Sequence, residues 1–127
     1  MRKTYRTGGF EDLAGYSRSV RVGGAISVSA TAATGPDGRV LAPGDTYAQT
    51  RTAFERAIEG VEQLGGTLEH VLRTTILLVR EADWHGAVDA HRELFAEVQP
   101  ANSTYYVAGF IPEGVLVEVE LDAFVPD

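Results

Sequence analysis

The segment Val115 to Phe124 reads VLVEVELDAF, and its alternation sets Glu118, Glu120 and Asp122 in a row opposite Val115, Val117, Val119 and Leu121. Three carboxylates side by side on one strand have two uses. Facing water they form a solvated surface, the common fate of a polar strand face. Facing a cleft, partial burial and like-charge repulsion raise a carboxyl pKa until it can take or deliver a proton. Few other side chains could do chemistry. His91 falls on the apolar stripe of a helical segment, the place of a hydrogen-bonded core histidine; His85 is six residues away, about 240° round that helix. His70 precedes a strand. No two histidines stand at i, i+4 and no loop gathers carboxylates, so the sequence supports no metal site. It also lacks G-x-S-x-G, a phosphate loop and a dinucleotide fingerprint, leaving covalent serine catalysis and nucleotide cofactors without support.

Composition narrows the field further. The 127 residues, 44% of them hydrophobic, suit a single domain spanning 1–127 with one modest core. No cysteine is present, which excludes disulfides and thiolate chemistry. The net charge is −7 and Lys3 is the only lysine, so no basic stripe exists to neutralise phosphates, and nucleic acid is not an expected partner. No apolar run approaches the ~20 residues of a membrane helix, and the opening MRKTYRTGGFEDLAG has no apolar signal-peptide core. A soluble, cytoplasmic protein without membrane contact is expected.

The elements that must position the carboxylate row are legible from pattern. Gly23-Gly24 between Ser19–Val22 and Ala25–Ser29 predicts a tight hairpin, and Thr34 to Gly38 predicts a loop. Thr46 with Gln49 fits a capping box at the start of a helix. That helix has Tyr47, Phe54, Ala57, Ile58, Val61 and Leu64 at helical spacing and stops at Gly65-Gly66. Leu72 to Arg80 predicts a central strand, and Asp83 to Val98 a second helix ending before Pro100. Strands at 103–110 and 115–124 complete a β-β-α-β-α-β-β order: an α+β mixed sheet with two helices on one face. The apolar run Ile76 to Val79 projects to both faces of its strand, and two helices cover only one. A closed ring of subunits would bury the other and create clefts between neighbours.

Four segments, in this order and spacing, carry a family resemblance: Gly15-Tyr-Ser-Arg-Ser19; Val28-Ser-Ala-Thr31; Leu72 to Val79 before Ala82-Asp-Trp84; and Pro100-Ala-Asn102 leading to Pro112 and Val117-Glu-Val-Glu120. The chain resembles the Rid superfamily of reactive intermediate deaminases, also called the YjgF family, from about Tyr16 to Ala123. The resemblance implies a chorismate-mutase-like fold and a homotrimer with intersubunit clefts. It also implies hydrolysis of small enamines or imines by an activated water, without a cofactor. Matched residue by residue, the pocket tyrosine falls on Tyr16, the strand serine on Ser29 and the water-activating carboxylate on Glu118, with Thr31 where many members have glutamine. Without the family, these read as a packing tyrosine, a hydroxyl bonded to backbone and a solvated carboxylate.

Two departures stand out. The arginine by which deaminating members clamp a substrate carboxylate is replaced by Asn102, and an amide cannot supply that charge. Val88 takes the place of an expected asparagine, with Asp89 one position on. Arg18 stands at a common family glutamine, either as a substitute cation or as a solvated edge-strand arginine. The leading expectation is a trimeric enzyme acting on a small imine, enamine or related carbonyl compound, with Glu118 as general base or water-positioning group and Tyr16, Arg18, Ser29, Thr31 and Asn102 shaping the pocket. A tautomerase, cyclase or hydrolase on the same fold and a non-catalytic metabolite-binding trimer are the alternatives. Ribonuclease activity fits the acidic composition least.

Overall fold

The computed structural model describes all 127 residues. Six strands, β1 (Arg2–Tyr5), β2 (Ser19–Val22), β3 (Ala25–Thr31), β4 (Val71–Leu78), β5 (Ala101–Tyr106) and β6 (Val117–Phe124), form one sheet in the order β1-β2-β3-β6-β4-β5. Helices α1 (Phe10–Ala14), α2 (Thr46–Glu62) and α3 (Trp84–Phe95) complete the mixed α+β fold. β4 and β5 are the one parallel pair, and they are joined through α3, because parallel neighbours need a crossover. The sequence pattern does not predict β1 or α1. β1 is mostly exposed and held by pairing to β2 rather than by burial, while five residues of α1 are too few to establish a period.

α2 and α3 pack together over one face of the sheet. The core forms where Phe54, Ala57 and Val61 of α2 and Phe95 of α3 meet Ile26, Val28, Ile76, Leu78, Val117, Val119 and Leu121 from the strands. Phe54 and Phe95 meet edge-on with centroids 5.1 Å apart, the arrangement ring quadrupoles favour. Gly60 lets α2 approach β2 closely: the Ser19 hydroxyl donates to the Gly60 carbonyl at 2.7 Å, and a Cβ at Gly60 would stand 3.3 Å from that hydroxyl. No helix is long and apolar enough to cross a membrane.

The helix start differs from the capping-box expectation. Asp45 is the N-cap of α2 and accepts from the Ala48 amide at 3.0 Å. Thr46 and Gln49 are buried instead and fasten loops: Thr46 accepts from the Asp83 amide at 2.9 Å, and Gln49 accepts from Leu116 N at 2.9 Å while donating to Ala42 and Gly114 carbonyls. Buried polar groups need partners, and here those partners hold the approaches to α3 and β6 in place. Strand and helix limits also shift, with the strand expected at 103–110 observed at Ala101–Tyr106. α3 ends at Phe95, and Gln99 turns the chain with a φ of 52° before β5.

The open face of the sheet is mixed rather than apolar, contrary to the expectation drawn from Ile76 to Val79. Within that run only Leu77 points to the open side; Ile76 and Leu78 face the helices, and Val79 lies beyond the strand. Cross-strand register sets Leu77 beside Glu118, Thr75 beside Glu120 and Arg73 beside Asp122. The carboxylate row thus occupies the middle of the open face, with Val117, Val119 and Leu121 of the same strand buried beneath the helices.

Candidate functional site

Five of the six site residues read from the sequence gather around the end of β3. The β3–β6 register slips between Val28 and Thr31, and this bulge brings three acceptors around Arg18. Its Nη2 donates to the Ser29 carbonyl at 3.3 Å, the Ala30 carbonyl at 2.9 Å and the Thr31 hydroxyl at 2.9 Å. The Thr31 hydroxyl in turn donates to Ser29 O, and the Ser29 hydroxyl to Ser17 O, both at 2.7 Å. Both hydroxyl protons are therefore committed to backbone. Arg18 is half-buried, and its guanidinium carbon lies 6.0 Å from the centroid of the exposed Tyr16 ring. Tyr16 is placed by α1: its amide bonds to Glu11 O, and the buried Glu11 carboxylate is held by the Thr7 amide and hydroxyl at 2.9 and 2.8 Å. Sequence reasoning missed Glu11, whose only signal is an acid in an otherwise unpatterned segment.

Glu118 is half-buried and receives no hydrogen bond from the protein. Burial pushes its carboxyl above the ordinary value of 4.5; the neighbouring Glu120 adds to the rise, and the Arg18 guanidinium opposes it. The group is therefore more basic than a solvated glutamate while remaining within the field of a fixed cation. Arg18 is not a solvated edge arginine, since β1 covers that edge and Nη2 is anchored. Nor can it grip a carboxylate with two prongs. Both two-pronged edges of a guanidinium, Nε with Nη2 and Nη1 with Nη2, pass through Nη2, whose protons are already spent.

Asn102 lies elsewhere in the chain. Its amide donates to the Thr74 carbonyl at 3.3 Å and to the Thr74 hydroxyl at 3.0 Å, and that hydroxyl meets His91 Nε2 at 2.7 Å. His91 is on α3, so Asn102 faces the helix side, whereas Glu118 faces the open side. Burial holds the His91 pKa below its ordinary 6.5, as a core histidine requires. Next to Asn102, between α3 and the β4–β5 edge, is a cavity of about 270 Å³ lined by Ile76, Leu78, Trp84, Val88, Thr104 and Tyr106, among others. Sequence reasoning did not pick out this groove. Its signal was the pair Tyr105-Tyr106 exposed on an edge strand, with Trp84 also exposed at the start of α3.

The fold and the half-buried carboxylate can be set beside known proteins. A family model described as Endoribonuclease L-PSP matches residues 9–125, and the chain belongs to this family, the YjgF or Rid family. A Streptomyces coelicolor protein, SCO2049, named as uncharacterized, is 36% identical over 115 residues, covering 91% of this chain and 85% of that one. The mouse 2-iminobutanoate/2-iminopropanoate deaminase is 29% identical over 105 residues, covering 83% of this chain and 77% of the enzyme. The crystal structure of Rv2704 from Mycobacterium tuberculosis, a member of the YjgF/YER057c/UK114 family, superposes with a TM-score of 0.87 at 35% identity, covering 98% of this chain and 100% of that one. The serine-bound crystal structure of Escherichia coli TdcF shares the fold, with a TM-score of 0.78 at 22% identity.

Proposed function

We propose that the protein is a hydrolase of small imines or enamines, with Glu118 as the general base. The observation that carries this reading is a half-buried carboxyl raised by burial beside an anchored arginine, on the open face of the sheet. Glu118 takes a proton from a water that adds to the C=N carbon. With the imine entering protonated at nitrogen, Glu118 passes the proton taken from water to the nitrogen of the tetrahedral adduct, ammonia leaves as the hydroxyl proton returns to Glu118, and a carbonyl remains. Arg18 keeps Glu118 ionised often enough to act, and Tyr16 closes the cleft with its exposed ring. Deaminase names among the mammalian relatives support the chemistry.

The substrate differs from the imino acids of those names. Asn102 offers no positive charge, and Arg18 has no free two-pronged edge, so no residue of the proposed cleft can hold a carboxylate in a bidentate pair. Compounds without a carboxylate at that position are the better fit. Because Glu118 and the groove beside Asn102 face opposite sides of one chain, a cleft containing both requires a second copy, and three copies in a ring give each Glu118 a neighbouring groove. The family model's ribonuclease description finds no support in a chain with a net charge of −7 and one lysine. Turnover of imines generated in situ by the unmodified protein and Glu118→Gln tests the reading. Equal rates of ammonia release would remove Glu118 from the mechanism.

A further inference from the structure

Resting on the reading that this groove is the second wall of the Glu118 cleft, we infer that it selects a neutral ligand with an apolar body and one N–H or O–H donor directed at the Thr104 oxygen. The orientation of the Asn102 amide and of the Thr104 proton is fixed by their partners. The Thr74 carbonyl can only accept, so the Asn102 atom facing it at 3.3 Å must be the amide nitrogen. The Asn102 oxygen therefore points the other way, to the Thr104 hydroxyl at 2.8 Å. An amide oxygen also can only accept, so Thr104 donates its single hydroxyl proton to it.

The Thr74 hydroxyl accepts from Asn102 at 3.0 Å and meets His91 Nε2 at 2.7 Å, so the inner end of the chain is closed by protein groups. Two donations thus run inward, from Thr104 to Asn102 and from Asn102 to Thr74. At the outer end the Thr104 oxygen retains lone pairs and no proton. The rest of the cavity is apolar or aromatic, with Ile76, Leu78, Trp84 and Val88 in its walls. A carboxylate brought there meets an acceptor where it needs a donor and loses its water without compensation. A donor meets a matching lone pair. Arg80, 4.6 Å from the Tyr106 centroid, does not line the cavity, and no other charged residue does.

Three probes with one ring isolate this polarity: phenol has an O–H donor, anisole has lost it, and benzoate brings only acceptors and a charge. Binding is followed at the indole N–H resonance of Trp84, the only tryptophan, in unmodified protein, Thr104→Val, Asn102→Ala and Glu118→Gln. Phenol is expected to bind about fivefold more tightly than anisole, the net value of one hydrogen bond, with benzoate weaker than both. Thr104→Val removes the phenol preference. Asn102→Ala frees the Thr104 proton, so anisole and benzoate gain relative to phenol. Equal binding of phenol and anisole, benzoate binding as tightly as phenol, or a phenol preference that survives Thr104→Val would each overturn the inference. The readout needs neither turnover nor a neighbouring chain. Loss of ammonia release in Glu118→Gln with the phenol preference intact therefore separates groove recognition from the hydrolytic reading, which fails by its own test.

Discussion

The two polar regions of this molecule are built in opposite ways. At the end of β3 an arginine is surrounded by backbone carbonyls, and beside it a carboxyl sits half-buried with no protein donor. On the helix side of the β4–β5 edge Thr104 donates to Asn102 and Asn102 to Thr74, leaving at the outer end a hydroxyl with only lone pairs to offer. Under the proposed function, the first region concentrates charge where a proton moves, and the second removes charge from where a ligand's body rests. In a cleft formed by both, reactivity and recognition come from different surfaces and can be altered independently. An arginine at position 102 would mix the two functions; the asparagine there keeps the second region neutral.

The most forceful way to break this contrast is to remove the base. Glu118→Gln keeps shape and hydrogen-bonding capacity and should lower imine hydrolysis by about 10² to 10⁴. Its denaturation midpoint should stay level or rise, because a carboxyl raised by burial costs stability when ionised. Urea melts beside steady-state rates would check both.

Restoring charge to the neutral region should produce the next largest effect. Asn102 is exposed, so Asn102→Arg has room, and hydrolysis of 2-aminoacrylate should rise by on the order of a hundredfold as a charge-assisted pair forms. Coupled assay of pyruvate release would measure it. No gain would mean that the groove does not adjoin Glu118.

Removing the fixed cation sharpens the comparison from the charged side. Arg18→Ala deletes hydrogen bonds to three acceptors and should cost about 1–3 kcal/mol in unfolding free energy. Because Arg18 lowers the Glu118 pKa, its loss should move the acidic limb of the pH–rate profile upward. The smallest effect concerns His91. Burial lowers its folded pKa, so the unfolded chain binds the proton first, and stability should fall as pH drops below about 6.5 towards the folded value. Chemical denaturation across that window should lose this slope in His91→Gln.

The main sheet and both long helices were legible because their burial follows a period: Val117, Val119 and Leu121 alternate, and Phe54, Ala57 and Val61 follow a helical stripe. β1 and α1 escaped because pairing and a buried glutamate, not a periodic face, hold them. Thr46 and Gln49 have the residue types of a capping box yet serve as buried fasteners, a role set by loops distant in sequence. In the candidate site the residues around β3 could be placed by family resemblance, and Glu118 by alternation. That Asn102 faces the opposite side followed from its parallel register with Thr74, which no single-strand pattern contains. The direction of the proton chain behind Thr104 likewise depends on contacts among three separate positions.

Mixing two inactive variants tests the central claim most directly, since the claim is that catalytic base and groove come from different chains. Glu118→Gln retains an open groove, and Val88→Trp fills the groove while retaining Glu118. Unfolded together and refolded into mixed assemblies, the two should regain imine hydrolysis that neither shows alone, because some clefts then combine an intact Glu118 with an intact groove. Mixed assemblies verified by native mass spectrometry that remain inactive would contradict the account.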